Sequence, residues 1–396
     1  MRAATAAREG GWVPLTFKLR SLSTSHGVEA PDSGSFRGSR LARHLLISEA
    51  LDRLTDDDVA RLLRTSRVLG SGIGGVRQAI QVEGVPVFVK RIPLTDLERT
   101  GIYRGSTANM FDLPVCCQYG VGSPSFGVWR EVAANTMATA WVLDGQTTSH
   151  PLMYHWRVID EGQRAGPLCD ELADVDRFVD YWNDSATVRH RAEAITSSTA
   201  SVVVFLEYVP TTLPDWLRRQ IALDATTANA AIGIVAERLR VEVAAMNDLG
   251  LFHFDAHLDN VLCDEHGIYI ADFGLATSLT FDLSDIEADF VVANASHDVA
   301  YSMTRFVDWL VSEFVTGADP ERRNEFVRAF ASGQAQTDML PEAAHAVVHR
   351  YAGLASLVNE FYMRLHLDDR TTPYPSHAIE RACRDAGLAF PRLNGR

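Results

Sequence analysis

The sequence predicts an α+β protein in two parts, β-rich up to about residue 209 and mostly helical from 210 to 396. Three observations carry this prediction. The glycine cluster Gly70–Gly75 leads into a β-like segment, Val76–Ile92, that turns at Gly84 rather than opening a helix. Ser201–Val209 (SVVVFLEYV) is an apolar run ended by Pro210, as a buried strand requires. Beyond it, Ile232, Val235, Leu239, Val243 and Met246 recur at steps of three and four, the period of an amphipathic helix.

The elements follow in order. Residues 1–43 are rich in Ser, Gly, Arg and Ala without a period, and read as a flexible tail. Thr55 before Asp56, Asp57 and Asp58 caps a short helix. After the glycine hairpin, residues 93–126 read as a loop or insertion. Trp129, Val132, Ala133, Thr136, Met137 and Ala140 restore helical spacing. His150–Ile159 reads as a strand, and 160–199 as a second, helical and acidic insertion. Gly250 stops the helix that follows Pro210. Val261–Cys263 and Ile268–Ala271 form a small hairpin, and from about 297 to 390 the chain is helical. The expected organisation is a tail (1–43), a β-rich part with two insertions (44–209) and a helical part (210–396).

Composition narrows the function. The 396 residues are 46% hydrophobic and 22% charged, ordinary for a soluble globular protein, and no run approaches a membrane span. The N-terminus lacks the continuous apolar stretch of a secretory signal. With 37 basic against 51 acidic residues the net charge is −14, a poor match to nucleic acid. Cys116, Cys117, Cys169, Cys263 and Cys383 fit neither a disulfide framework nor a zinc site, so a reduced cytoplasm is the expected compartment. Only two of the basic residues are lysine, Lys18 in the tail and Lys90 at the end of the apolar run VPVFVK. The Arg bias and Ala-rich composition point to a high-GC bacterium. In such a chain a lysine retained at Lys90 points to a task that needs a compact ammonium and not a planar fork.

The glycines match G-x-G-x-x-G at Gly70, Gly72 and Gly75. A dinucleotide site needs a helix directly after them, and a Walker loop needs Gly-Lys; neither holds. What remains is a glycine hairpin folding over phosphates, with Lys90 on the next strand. The stretch LFHFDAHLDNVLCDEHGIYIADFGLA then presents Asp255, Asn260 and Asp272 around two short strands. Hairpin closure would gather their oxygens at one end, a donor set suited to Mg²⁺, with Asp255 free to handle a hydroxyl proton. The competing reading takes His253, Asp255 and His257 as a transition-metal site.

On these residues the chain resembles the protein-kinase-like superfamily, which includes eukaryotic-type protein kinases and the aminoglycoside and choline phosphotransferases. The resemblance spans residues 69–298 and implies a bilobal fold, with a β-rich N-lobe carrying helix C and a helical C-lobe. It implies ATP and Mg²⁺ as cofactors, the glycine loop at Gly70, Gly72 and Gly75, and Lys90 on the α- and β-phosphates. Glu131 would pair with Lys90. HFDAHLDN, resembling HRDLKxxN, gives Asp255 as base and Asn260 as metal ligand, and DFG gives Asp272 as the main metal ligand. LEYVP resembles the hinge, with Leu206 as gatekeeper and the adenine bonded near Glu207 and Val209. Asp298 would brace the catalytic loop.

Departures bear on the acceptor. Phe254 stands for the HRD arginine, so activation by a phosphorylated loop is not expected. His257 replaces the usual lysine, no APE follows, and Asp298 comes only 26 positions after Asp272, so the common peptide-docking platform is not expected. The implied activity is transfer of the γ-phosphoryl group of Mg-ATP to a hydroxyl of a small molecule or a dedicated peptide. The alternatives are a conventional Ser/Thr protein kinase and an ATP-binding pseudokinase scaffold. Neither a nucleic-acid nor a membrane partner is expected.

Overall fold

The computed structural model describes residues 33–120, 122–162 and 169–393. The expected tail up to residue 32, with Lys18, and residues 163–168 of the second insertion lie outside them. Residues 33–43 do not extend that tail: they begin helix α1 (Ser33–Asp52), which is followed by α2 (Asp56–Thr65). The α2 cap is reciprocal, Thr55 Oγ1 accepting from Asp58 N–H while the Asp58 carboxylate accepts from Thr55 N–H.

Strands β1 (Arg67–Gly72), β2 (Gly75–Val82) and β3 (Val85–Leu94) come next, then helices α3 (Asp96–Arg99) and α4 (Val128–Asp144) and strand β4 (Met153–Asp160). Helices α5 (Val175–Tyr181) and α6 (Ala186–Ser197) precede β5 (Ala200–Glu207). These five strands form one antiparallel sheet in the order β1-β2-β3-β5-β4. The β1–β2 turn closes at Gly72 opposite Gly75. Gly75 has φ +110, and a Cβ there would overlap the carbonyl oxygen of Arg91, so no other residue fits without moving the strand.

Side chains alternate across β3. Val87 and Val89 enter a core with Ile47, Leu51 and Phe205, whereas Ile92 and Leu94 pack with Val128, Trp129 and Val132 of α4. The second face is the one that carries Lys90, which brings α4 over it. The two insertions do not stand apart: Phe111, Leu113 and Phe126 of the first share a core with Leu172, Phe178, Val188 and Ile195 of the second. One buried carboxylate joins them. Glu98 accepts from Thr95 and from Val128 N–H (2.9 Å), and pairs with Arg191 Nη1 at 2.8 Å. Burial pushes the Glu98 carboxyl up, but the Arg191 guanidinium overrides this and holds it below the usual range.

The helical half follows: β6 (Thr211–Thr212), α7 (Leu213–Ile221), α8 (Ala225–Asp248), β7 (Val261–Cys263), β8 (Ile268–Ile270), α9 (Asp285–Ala293), α10 (His297–Val311), α11 (Pro320–Ala331), α12 (Glu342–Leu367) and α13 (Ser376–Asp385). Strands β6, β7 and β8 form a second antiparallel sheet. The main core lies among α8, α10 and α12, with Leu239, Phe306 and Val358 inside it. Helix α9 was not expected, although Ser284 and Glu287 form a capping box that the sequence spells out. Among the described residues no helix is long and apolar enough to cross a membrane. All five cysteines are free.

Candidate active site

Lys90 projects from the middle of β3, opposite Arg77 on β2 and Val204 on β5. Glu131 lies in the first turn of α4. The Lys90 ammonium meets Glu131 Oε1 at 2.7 Å and Asp272 Oδ1 at 2.6 Å, and is 5% exposed. Lys90 thus joins the sheet, α4 and the segment after β8. Burial opposes its charge, but the two carboxylates, Asp272 first, outweigh that and raise its pKa. Burial also pushes Asp272 up, yet the Lys90 ammonium prevails and holds it at about 2. Glu131 goes the other way: burial, reinforced by the Asp272 charge, raises it to about 7 against the pull of Lys90. The physical sense is one buried ammonium shared by the buried Glu131 and by Asp272, whose side chain is 40% exposed and keeps its charge more firmly.

Asp255 and Asn260 lie on the segment between α8 and β7. Asn260 Nδ2 donates to Asp255 O at 3.0 Å and to Asp255 Oδ2 at 3.3 Å. Asp255 Oδ1 is buried and has no hydrogen-bond partner. Burial first, then the Asp272 charge, raise the Asp255 carboxyl well above the ordinary aspartate range. Oδ1 is closed off by Gly120, so the partly exposed carboxylate meets the cleft through Oδ2, and raised basicity there suits a group that takes a hydroxyl proton.

Asp298, in the first turn of α10, secures this segment. Its Oδ2 accepts from His253 N–H at 2.6 Å and from Asn247 Nδ2 at 2.8 Å, and its Oδ1 accepts from Phe254 N–H at 2.8 Å. Phe254 and Asp272 have φ of +60 and +62, a region non-glycine residues rarely occupy. Asp298 and the stacking of the Phe254 ring on His297, 4.9 Å between centroids, hold the first of these. We therefore expect Asp298→Ala to cost about 1–3 kcal/mol for each of the two backbone N–H groups left unpaired. Urea denaturation measures the loss; a cost under about 1 kcal/mol would show that Asp298 does not brace the segment.

A cleft of about 420 Å³ gathers most of the expected residues: Gly72, Gly75, Lys90, Glu131, Asp255, Asn260 and Asp272 all line it. Gly70 does not, since its open side faces the Arg77 guanidinium. Nor do Leu206, Glu207 and Val209, the expected adenine contacts. Leu206 pairs with Phe88 and Met153 within the sheet. The Glu207 N–H donates to Leu152 O at 2.7 Å, and its carboxylate is bound by Arg40, so neither is open to a ligand. The transition-metal reading also fails. His253 is fully buried, its Nε2 donates to Ala271 O at 2.9 Å, and its Nδ1 accepts from Asp255 N–H, which turns the ring away from the cleft. Among the described residues no cluster of three or more His, Cys, Asp and Glu could hold a metal by itself.

Gly120 and residues 122–125, read in sequence only as part of a loop, form a wall of the site. A Cβ at Gly120 would overlap the Asp255 carboxylate, so only glycine allows this approach. Gln118 donates to Leu275 O, Ser125 Oγ to Gly274 O at 3.0 Å, and Tyr119 OH to Asn294 Oδ1 at 2.8 Å. Three glycines and two serines between Tyr119 and Gly127 were the available signal. His257 lies at the rim, its Nε2 3.6 Å from Asp255 Oδ2, and burial lowers its pKa, which favours a neutral ring. Neither a protein-family model nor a curated protein matches the chain.

Proposed function

We propose that the chain is a Mg-ATP-dependent phosphotransferase of protein-kinase-like fold, moving the γ-phosphoryl group to a hydroxyl of a small molecule or a dedicated peptide. One observation carries the reading. Lys90 is buried between Glu131 and Asp272, while the partly exposed Asp255 lines the same cleft with its Oδ2 beside Asn260. A lysine, two acidic partners and a separate base are the parts that phosphoryl transfer needs for charge neutralisation and acceptor alignment.

The donor set fits Mg²⁺, which prefers carboxylate and amide oxygens together with phosphate oxygens. Asp272 and Asn260 would hold it, and when bound it would neutralise charge on the transferred group. The remaining work falls to the chain itself. Lys90, kept in place by Glu131, offers its ammonium to phosphate oxygens. The Gly72–Gly75 turn brings backbone close to them, a Cβ at Gly74 lying only 3.2 Å from Lys90 Nζ. Asp255 orients the acceptor hydroxyl and takes its proton as the new P–O bond forms and the bond to the ADP oxygen breaks.

The test uses γ-labelled ATP, Mg²⁺ and extract separated into macromolecular and small-molecule fractions. Label transfer that Asp272→Asn abolishes is the expected result, and the fraction that carries it identifies the acceptor class. No label in either fraction, with no ATP consumed, would leave a nucleotide-binding scaffold in place of an enzyme.

A further inference from the structure

We infer that Arg130 is a positioning residue: with Glu287 it latches α4 onto α9, so that Glu131 stays on Lys90 with no help from a ligand or a modification. For its effect on rate the inference rests on the phosphotransferase reading, to which it adds how the site is held in register.

Arg130 and Glu131 are neighbours in the first turn of α4, and adjacent helical residues point about 100° apart. Glu131 faces the sheet and meets Lys90 at 2.7 Å. Arg130 faces the helical half, where its Nη2 donates to Glu287 Oε1 at 2.6 Å. Both side chains are buried, 3% and 7% exposed. The start of α4 is thus held from two sides, by the sheet through one residue and by α9 through the next.

The pair is anchored at both ends. Arg130 Nε donates to Thr107 O at 2.7 Å, and the guanidinium lies 4.8 Å from the centroid of the Phe126 ring. The second Glu287 oxygen, Oε2, accepts from Ser284 N–H at 3.0 Å and from Ser284 Oγ at 2.9 Å, which fixes the carboxylate at the start of α9. A further stitch runs beside it. Asp282 Oδ2 accepts from Thr107 N–H at 3.2 Å, and Asp282 N–H donates to Thr107 Oγ1 at 2.8 Å. Asp282 and Glu287 lie 10 and 15 positions after Asp272. The latch therefore joins α4 to the stretch of chain that carries the other carboxylate on Lys90.

Withdrawal of α4 from the sheet would take Glu131 off Lys90. Because one helical turn carries both residues, it would also separate Arg130 from Glu287. That leaves a guanidinium and a carboxylate buried without partners, a far larger penalty than the loss of an exposed pair. The two contacts hold and break together, and the buried one sets the cost.

The experiment uses the full chain without nucleotide and reads Lys90 directly. Lys18 and Lys90 are its two lysines, so limited acylation with acetic anhydride, resolved by mass spectrometry, reports the Lys90 amine apart from activity. The test variant is Arg130→Met with Glu287→Gln, which leaves no unpaired buried charge. Val358→Ala, in the α8–α10–α12 core, is the control for loosening, each protein being assayed equally far below its own melting temperature. In wild type Lys90 should acylate at least about tenfold more slowly than in urea, since a buried amine reacts through local opening. The double variant should raise native acylation of Lys90 about tenfold or more over the control. It should also lower kcat for label transfer about 10²-fold, the scale of a misplaced reacting group, whereas Val358→Ala should not. Lys90 acylation or kcat in the double variant equal to the control's would overturn the inference while leaving the transfer reaction intact. So would a Lys90 as reactive in native wild type as in urea, whatever the variants do. A wild type that labels nothing and consumes no ATP would overturn the phosphotransferase reading and the rate effect with it, while Lys90 acylation would still decide the latch.

Discussion

Asp255→Asn should lower phosphoryl transfer by about 10²–10⁴-fold, the range for removal of a positioned proton acceptor, while leaving the fold intact or raising its melting temperature. The two effects have one cause. The Asp255 carboxylate has one oxygen sealed without a partner, and burial and the Asp272 charge both oppose its ionisation. A neutral amide of the same size removes the charge that burial and Asp272 oppose, and its oxygen retains the contact with Asn260. The pH dependence follows with a definite sign. A carboxyl raised in the folded state binds more protons there than in the unfolded chain, so its contribution to stability falls as pH rises through the raised value. Activity that needs the ionised base rises over the same interval, so the acid limb of kcat should lie well above an ordinary aspartate. Steady-state rates against pH, beside thermal melts of both proteins, check this. A variant that lost stability and activity together, or an unshifted acid limb, would remove Asp255 from the base role.

Arg40→Met should cost about 3–5 kcal/mol of folding stability, and Arg40→Met with Glu207→Leu should recover much of it. Arg40 on α1 is 3% exposed and grips Glu207 at the end of β5 through two bonds, Nη2–Oε2 at 2.6 Å and Nε–Oε1 at 3.1 Å. The same guanidinium donates to Thr148 O at 3.0 Å and His150 O at 2.7 Å, and lies over the Tyr269 ring. It therefore ties together α1, the approach to β4, the end of β5 and the β7–β8 hairpin. The single substitution strands a buried carboxylate whose other cation, Arg43, is 3.8 Å away and largely exposed. The double substitution leaves no such charge. Urea denaturation of wild type, single and double variants decides it. Equal losses in both variants would mean that the pair contributes packing and not charge compensation.

Much of the site was legible in the chain because its residues are chemically unusual where they stand. A lysine at the end of VPVFVK, in a chain with only one other lysine, is such a residue, and it lies between Glu131 and Asp272. Asp255, Asn260 and Asp272 are legible for a different reason: the short β7–β8 hairpin links them, so local chain geometry already brings them together. The glycine turn, the central strands and α8 with its Gly250 stop follow from period and turn chemistry, which a few neighbouring residues determine.

Other features depend on contacts between distant parts of the chain. The resemblance implies adenine contacts at the backbone near Glu207 and Val209, and nothing local in the sequence shows what engages the Glu207 side chain. Arg40, 167 residues earlier, engages the Glu207 carboxylate. Gly120 reads as one turn glycine among several until it is seen against Asp255, across 135 positions of sequence. The two insertions look independent because neither has a period that names a partner, yet they share a core and the buried Glu98–Arg191 pair. What the sequence by itself determined is the α+β division, the order of the elements and the chemistry available to the cleft, because local propensity and residue type suffice for these. Only the tertiary structure decided which end of the cleft is walled, which carboxylate keeps an unpaired oxygen and what covers the end of β5. Those outcomes depend on burial and charge pairing between segments with no local relation to one another.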